Sequence, residues 1–159
     1  MPLDSDLFRS VLGRFASGVT VVTTRDAEGR DHGMTVSAFA SLSLDPPLIL
    51  VCIDRQASVH DALVSAEWMV VNILSATQEP LSRRFSHLNA RSRFEGIGFS
   101  RAPHGPTILD DVLAHLECRI VQRLEGGDHS ILVGEVEGAE AREVRPLLYY
   151  RGGYAQLER

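Results

Sequence analysis

The stretch G-M-T-V-S-A-F-A-S-L-S-L-D-P-P-L-I-L-V-C-I-D, Gly33 to Asp54, decides how the rest of the chain is read. It divides into two strands joined at Asp45-Pro46-Pro47. The first, Met34 to Leu44, interleaves β-branched and aromatic residues with the small hydroxylated Thr35, Ser37, Ser41 and Ser43. The second, Leu48 to Ile53, is a continuous apolar run of strand length, the pattern of a strand buried on both faces. The hydroxyl-bearing strand is too polar for an ordinary core strand and too rich in small residues for an ordinary solvent face. Small side chains let a planar ligand approach the backbone, whose N–H groups can then read its edge. An edge strand decorated with Ser and Thr carries the same pattern, so both readings stand at this point.

Outside that stretch, the 159 residues suffice for one domain with a real core and are too few for two typical ones. Hydrophobic residues make up 44% and charged residues 23%, an ordinary globular composition. No apolar run approaches membrane-spanning length, and the N-terminus lacks a basic region followed by an apolar core, so a cytoplasmic location is expected. The net charge of −5 and the scattered arginines argue against nucleic acid as the main partner. All 16 basic residues are Arg, so lysine-based Schiff-base chemistry has no residue to use. Cys52 and Cys118 sit in apolar, strand-like contexts without a close Cys or His; they read as small buried thiols and not as metal ligands.

In chain order, Asp4 to Ala16 has helical spacing, with Leu7, Phe8, Val11, Leu12, Phe15 and Ala16 one turn apart and Gly18 where a stop is expected. Gly18 to Thr24 is a strand, and a turn at Asp26 to Gly29 leads into the central pair, giving an antiparallel meander. After Ile53 the chain enters a short helix near Val59 to Ala66, where Ser58 and Asp61 approximate a capping box. A buried strand feeding a helix start presents free N–H groups to a phosphate, and Arg55 and the Ser58 hydroxyl add donors. Ser58 serves equally well as a cap alone.

Trp68 to Leu74 is a further strand, and Thr77 to Leu88 a helix whose Arg83 and Arg84 fit a solvated face. The irregular segment Asn89 to Pro106 is long enough to be functional or mobile. From Leu113 to Val121, Ala114, Leu116, Cys118 and Ile120 share one face, and His115, Glu117 and Arg119 the other. His115 and His60 read as surface residues. Glu125 to Asp128 makes a turn, His129 opens a strand, and Leu147 to Arg151 is the last. Six or seven short strands with three short helices describe a mainly β antiparallel barrel with helical additions. The G-I-G at Gly96 to Gly98 neither follows a strand nor opens a helix, and no nucleophile elbow, triphosphate loop or zinc helix is present. These residues alone point to a phosphate-bearing planar ligand.

Four blocks carry a resemblance: F-R-S-V-L-G-R-F-A-S-G-V-T-V-V-T-T, G-M-T-V-S-A-F-A-S-L-S-L-D-P-P-L-I-L-V-C-I, G-D-H-S-I-L-V-G-E-V and Y-Y-R-G-G-Y. In content and order they resemble the flavin reductase family with the FMN-binding split-barrel fold, over nearly the whole of a single domain, residues 1–159. The resemblance implies a homodimer that uses NADH or NADPH to reduce FMN or FAD, and a separate flavin-dependent monooxygenase that receives the reduced flavin.

Position by position, the resemblance implies that Met34, Thr35, Val36, Ser37 and Ala38 line the isoalloxazine edge, largely through backbone. Ser37 stands where some members have Asn. Ser41 and the Cys52-Ile53-Asp54 turn are expected near the ribityl chain, with Ser58 on the phosphate. Phe85, His87, Arg93 and Phe94 match the segment that closes over the phosphate or adenine end. His129 in G-D-H matches the nicotinamide-side histidine, and Tyr150, Arg151, Gly152, Gly153 and Tyr154 are expected close to it. Hydride passes between two cofactors, so the protein's expected task is to stack the rings and to place donors where negative charge gathers. Two other readings share the scaffold: a reductase that retains its flavin and reduces a metal or organic acceptor, and a non-enzymatic flavin-binding or flavin-sensing protein.

Overall fold

Valine and threonine share the run from Thr20 to Thr24, and this run becomes the strand around which two separate cores form. A computed structural model of the chain describes residues 2–158. Its elements are α1 (Ser5–Leu12), β1 (Ser17–Gly18), β2 (Thr20–Arg25), β3 (Asp31–Val36), β4 (Phe39–Ser43) and β5 (Leu48–Asp54). There follow α2 (His60–Ser65), β6 (Trp68–Ile73), α3 (Glu79–His87), a 3-10 turn (Ala90–Ser92), β7 (Phe99–Arg101) and β8 (Thr107–Leu109). The chain ends through β9 (Ala114–Gly126), β10 (His129–Ala141), β11 (Leu147–Tyr150) and β12 (Gly153–Gln156).

Seven strands form one sheet in the order β3-β2-β6-β9-β10-β5-β4. Every pairing in it is antiparallel. Its two edge strands, β3 and β4, are consecutive in the chain and separated by Ser37 and Ala38 alone. Three peptide steps span at most about 11 Å. The sheet must therefore curl until its edges nearly meet, and the result is a split antiparallel barrel. The long strand expected over Met34 to Leu44 is thus two strands on opposite edges, and the expected meander is interrupted there. No turn-forming residue marks the break; Cys52 N–H donates to the Ala38 carbonyl at 3.0 Å and fixes the crossing.

Side chains of β2 alternate between the cores. Val22 joins Val36, Val51, Ile53, Met69 and Leu132 inside the barrel. Val21 and the adjacent Val19 join Leu74, Phe85, Leu109 and Leu147 outside it, beneath α3 and the small sheet β1-β11-β12. β2 is therefore buried on both faces, as is β6, where Met69, Val70, Val71 and Asn72 are all buried. The apolar run of β5 alternates instead: Ile49, Val51 and Ile53 are buried while Leu48, Leu50 and Cys52 are half-buried. The threonines of β2 are admitted to the interior because each hydroxyl donates to a carbonyl: Thr20 to Val36 at 2.6 Å, Thr23 to Thr107 at 2.6 Å and Thr24 to Trp68 at 2.7 Å.

Several local expectations are corrected. Helix α1 is capped by Asp4 and stops at Gly13, whose N–H bonds the Arg9 carbonyl; Gly18 lies in β1. No residue of α1 is buried, and Leu7, Phe8, Val11, Leu12 and nearby Phe15 all face outward. The segment after α3 is ordered by the 3-10 turn and the β7-β8 hairpin. His115 is buried beside Glu117, and His60 is half-buried with Nε2 2.8 Å from Ser130 Oγ, so neither is a surface residue. Cys118 is buried, its thiol pushed up to about 12 by burial and by the Glu117 charge. Cys52 is only half-buried, and burial raises its thiol as well. Among the described residues no helix is long and apolar enough to cross a membrane.

The fully buried Asn72 joins the sheet to the β7-β8 hairpin. Its Nδ2 donates to the Val21 carbonyl at 3.0 Å and its Oδ1 accepts from Leu109 N–H at 2.9 Å. Asn72→Ala leaves both buried backbone groups without these partners, and a loss of about 1–3 kcal/mol is expected. Urea denaturation checks this; an unchanged midpoint would show that the hairpin does not depend on Asn72.

Candidate functional site

Strand β3 is an edge strand, paired only with β2, so its outer row of backbone groups has no strand partner. Its side chains alternate across the sheet. Met34 and Val36 point into the barrel core, which leaves them only backbone to offer a ligand. Gly33 and Thr35 face α3. Thr35 Oγ1 donates to the Ser82 carbonyl at 2.7 Å. A Cβ on Gly33 would stand 2.9 Å from the ring of Phe85 and 3.1 Å from that of Phe94, so only glycine lets α3 pack this close. Phe85 is fully buried, as is Ile53. Phe85 was expected in the segment that closes over the phosphate or adenine end and Ile53 in the turn near the ribityl chain; the side chain of each packs into a core, and neither lines a cleft.

Two arginines fix the segment after α3. Arg84 Nε donates to the Arg93 carbonyl at 2.6 Å, and its Nη2 donates to the carbonyls of Ser92, at 3.0 Å, and Glu95. Arg84 therefore organises a loop and is no solvated-face residue. Arg93 is itself buried, donating from Nε to Leu88 at 3.0 Å and from Nη1 to Gly33 at 2.8 Å. Desolvation lowers its pKa, and no carboxylate pairs with it among the described residues.

Two clefts share β3. The larger, about 950 Å³, is lined by Arg30, Asp31 and His32 at the start of β3, by Ser58 and Val59 before α2, and by the segment Leu88 to Phe94. Asp31 is neutralised by a two-pronged bond with Arg101, 2.8 Å at each oxygen. His32 Nε2 lies 2.8 Å from Asp26 Oδ2; this contact, with the Arg30 and Glu28 N–H groups, holds the Asp26 carboxyl down to about 2. Helix α2 is capped at Val59 without a side-chain bond, so the capping box expected of Ser58 and Asp61 is not formed. Ser58 is exposed, and its hydroxyl has no protein partner among the described residues, which leaves it available to the cleft.

The smaller cleft, about 440 Å³, gathers Thr35, Ser37, Ser82, Arg83, His87 and Tyr154, with Tyr149 and Gly152 at its side. Tyr154 Oη lies 2.7 Å from Ser82 Oγ, and the Arg83 guanidinium sits 4.9 Å from the Tyr154 ring centre. The β11-β12 hairpin turns at Arg151 and Gly152, with φ of 52° and 76°, values that suit a two-residue turn of the primed type.

Of the residues expected at the site, Ser58, Arg93 and Phe94 meet in the larger cleft, and Thr35, Ser37, His87, Gly152 and Tyr154 in the smaller. Ala38, Ser41 and Asp54 are exposed along the split and line neither cleft, as does half-buried Cys52. His129 also lines neither. It opens β10 opposite Asp54, with Nδ1 2.8 Å from Asp128 Oδ1, a contact that holds the Asp128 carboxyl below its ordinary range. Tyr150 and Gly153 are exposed, and Arg151 lines a separate recess with Arg9 and Arg14. Within one chain, then, the Tyr150 to Tyr154 segment and His129 do not share a cleft. Sequence reasoning missed Arg30, His32, Ser82 and Tyr149. A helical Ser and two turn-proximal basic residues give no signal until the fold brings them to β3.

The sequence profile described as a flavin reductase like domain matches residues 12–158. The chain is 42% identical over 156 residues to the reductase component of a 4-nitrophenol 4-monooxygenase/4-nitrocatechol 2-monooxygenase from Rhodococcus opacus, covering 98% of this chain and 83% of that one. It is 39% identical over 151 residues to a probable flavin reductase of Rhizobium meliloti strain 1021, covering 95% of this chain but spanning only 48% of that relative's length. Among solved structures, the NADH:FAD oxidoreductase of Streptomyces globisporus C-1027, in complex with NAD and FAD fragments, superimposes with a TM-score of 0.91 at 34% identity, covering 97% of this chain and 93% of that one. By sequence profile, by near full-length identity and by fold, this chain belongs to the flavin reductase like domain family.

Proposed function

We propose that this chain is an NADH-dependent flavin reductase that takes FMN or FAD as its acceptor and passes reduced flavin to a separate flavin-dependent monooxygenase. Residues 1–159 act as one domain. The observation that carries the reading is the pair of clefts on the free edge of β3, one holding Ser58 and Arg93, the other His87 and Tyr154. Flavin and nicotinamide supply the redox chemistry themselves, a hydride leaving C4 of one ring for N5 of the other. The chain's own residues bind, orient and stabilise.

Ser37 and Ala38 keep the end of the edge strand free of bulk, so the backbone of Met34 to Ala38 meets the isoalloxazine edge and offers N–H groups where its negative charge gathers. The turn at Cys52 to Asp54, with Ser41, borders the ribityl chain. Ser58 donates to the flavin phosphate, and Arg93 adds positive charge from beneath. Phe94 and His87 close the outer end. Tyr154, with the turn from Tyr150 to Gly153, receives the nicotinamide ribose, and His129 orients the nicotinamide nucleotide.

The protein works in the cytoplasm as a homodimer. What supports the dimer is the run of Leu7, Phe8, Val11, Leu12 and Phe15, each at least half exposed on α1 or just beyond it and forming a contiguous apolar surface.

NADH oxidation by purified protein, measured with and without added FMN or FAD, tests the function. Rapid flavin-dependent oxidation is expected, and a rate no greater than that of free NADH and flavin would refute the reading. Ser58→Ala is expected to weaken flavin binding by about 1–3 kcal/mol through a lost charge-assisted hydrogen bond. His129→Ala is expected to raise the KM for NADH while leaving the flavin Kd nearly unchanged. Flavin titration and steady-state kinetics separate the two roles, and unchanged constants remove either residue from the site. Sedimentation is expected to give a dimer that Phe8→Asp with Leu12→Asp converts to monomer; a monomeric wild type excludes the pairing.

A further inference from the structure

Helix α2 is only six residues long, has no side-chain cap, and follows the serine that faces the larger cleft. Val59 and Leu63 seat this region on the barrel core by burial. Burial is non-directional, so it fixes neither the tilt of so short a helix nor the aim of the turn before it. Ser58 lies in that turn, which runs from Ala57 to His60 and closes where His60 N–H donates to the Ala57 carbonyl at 3.0 Å.

The last residue of the turn carries the directional contacts. His60 Nε2 lies 2.8 Å from Ser130 Oγ, and His60 Nδ1 lies 2.9 Å from Asp61 Oδ1. The His60 side chain is 14% exposed, Ser130 is buried and Asp61 is exposed. A carboxylate only accepts, so Nδ1 holds the proton, and Nε2 of the neutral ring accepts from the serine hydroxyl. Ser130 is a rigid post, because it pairs with Ile53 of β5 on one side and with Glu125 of β9 on the other. The far end of α2 is tied to the same hairpin, where the Arg123 guanidinium donates to the carbonyls of Val64 and Ala66. A serine, histidine and aspartate in contact are also the parts of a hydrolase triad. Here the serine is buried, and neither it nor His60 lines either cleft, so the contact is a tether and not a nucleophile.

We propose that His60 is a positioning residue for flavin: held by Ser130, it sets the aim of the Ser58 hydroxyl into the larger cleft. The proposal rests on Ser58 being a donor to the flavin phosphate. Hydrogen bonds are directional, and a displacement of about 1 Å at Ser58 carries its oxygen out of bonding range. Strand β3 and the start of β10 have their own ladders and do not depend on the imidazole. Its loss is therefore felt at the phosphate, and not at the stacked rings or at His129.

The test is FMN titration, steady-state NADH oxidation and thermal melting of the full chain and its variants. His60→Ala is expected to raise the FMN Kd about three- to tenfold, the range for one hydrogen bond, with kcat and the NADH KM within about twofold. His60→Gln is expected to restore the Kd, since its amide reaches the place of Nε2; His60→Asn reaches only that of Nδ1 and is expected not to. With His60→Ala already present, Ser58→Ala is expected to add less than about twofold, because the two act on one contact. Arg123→Ala, which frees the other end of α2, is expected to lower the melting temperature and leave the FMN Kd unchanged. A His60→Ala protein that melts lower yet binds FMN like wild type overturns the proposal. Full additivity with Ser58→Ala, equal rises in the FMN Kd and the NADH KM, or an Arg123→Ala effect on FMN as large as that of His60→Ala also overturns it. If His60→Ala does not fold, the Gln and Asn variants decide, and equal Kd values for the two overturn the proposal. An unchanged FMN Kd in Ser58→Ala alone refutes instead the parent assignment of Ser58 to the phosphate, and the proposal falls with it.

Discussion

Two residues must carry the backbone from one edge of a seven-stranded sheet to the other. That constraint at Ser37 and Ala38 governs the molecule. A link so short forbids a flat or open sheet, because the strands it joins are separated in the hydrogen-bonded order by the other five. The sheet rolls up, its interior fills with Val22, Val51, Ile53, Met69 and Leu132, and two edges are left facing each other across a gap. Exposed edges are usually a hazard, since their unpaired N–H and C=O groups invite another strand. Here α3 and the loop behind it cover part of β3, and the two clefts occupy the rest.

Covering β3 closely requires the absence of a side chain at Gly33. Phe85 fills that space and is in turn met edge-on by Phe94 at 5.1 Å between ring centres. Arg93 then reaches the carbonyl of the same glycine, and Arg84 holds the loop that carries Arg93. Packing and polar contacts therefore converge on one residue of the edge strand. The cleft beside it is formed by groups whose positions are set by the fold's own hydrogen bonds, which is what preorganised binding requires.

How much of this could be read from residues alone depended on whether local patterns or long-range closure set the outcome. The strands at Thr20 to Arg25, Trp68 to Ile73 and His129 to Ala141 announce themselves because β-branched runs bounded by turn residues have few other uses. The break at Ser37 was invisible, since neither Gly nor Pro marks it and barrel closure alone demands it. The alternation of β5 was hidden because leucine on a half-buried face looks the same as leucine in a core. Helix α1 stopped at Gly13 and not at the more obvious Gly18, which the small sheet had claimed. The Gly33 to Asp54 stretch stood out from its residue pattern alone, but nothing in that pattern shows that the side chains of Phe85 and Ile53 pack into two separate cores. Arg30 lacked any motif, and only the proximity of β3 to the loop after α3 gives it a part.

The two thiols have one further implication. Reduced flavin reacts with oxygen to give peroxide, so a protein that produces it works beside a steady source of oxidant. Peroxide attacks the thiolate and not the protonated sulfur. With Cys118 held at about 12 and Cys52 also shifted upward, neither presents that form at neutral pH. Holding both thiols in the protonated form thus slows their reaction with the by-product of flavin reduction.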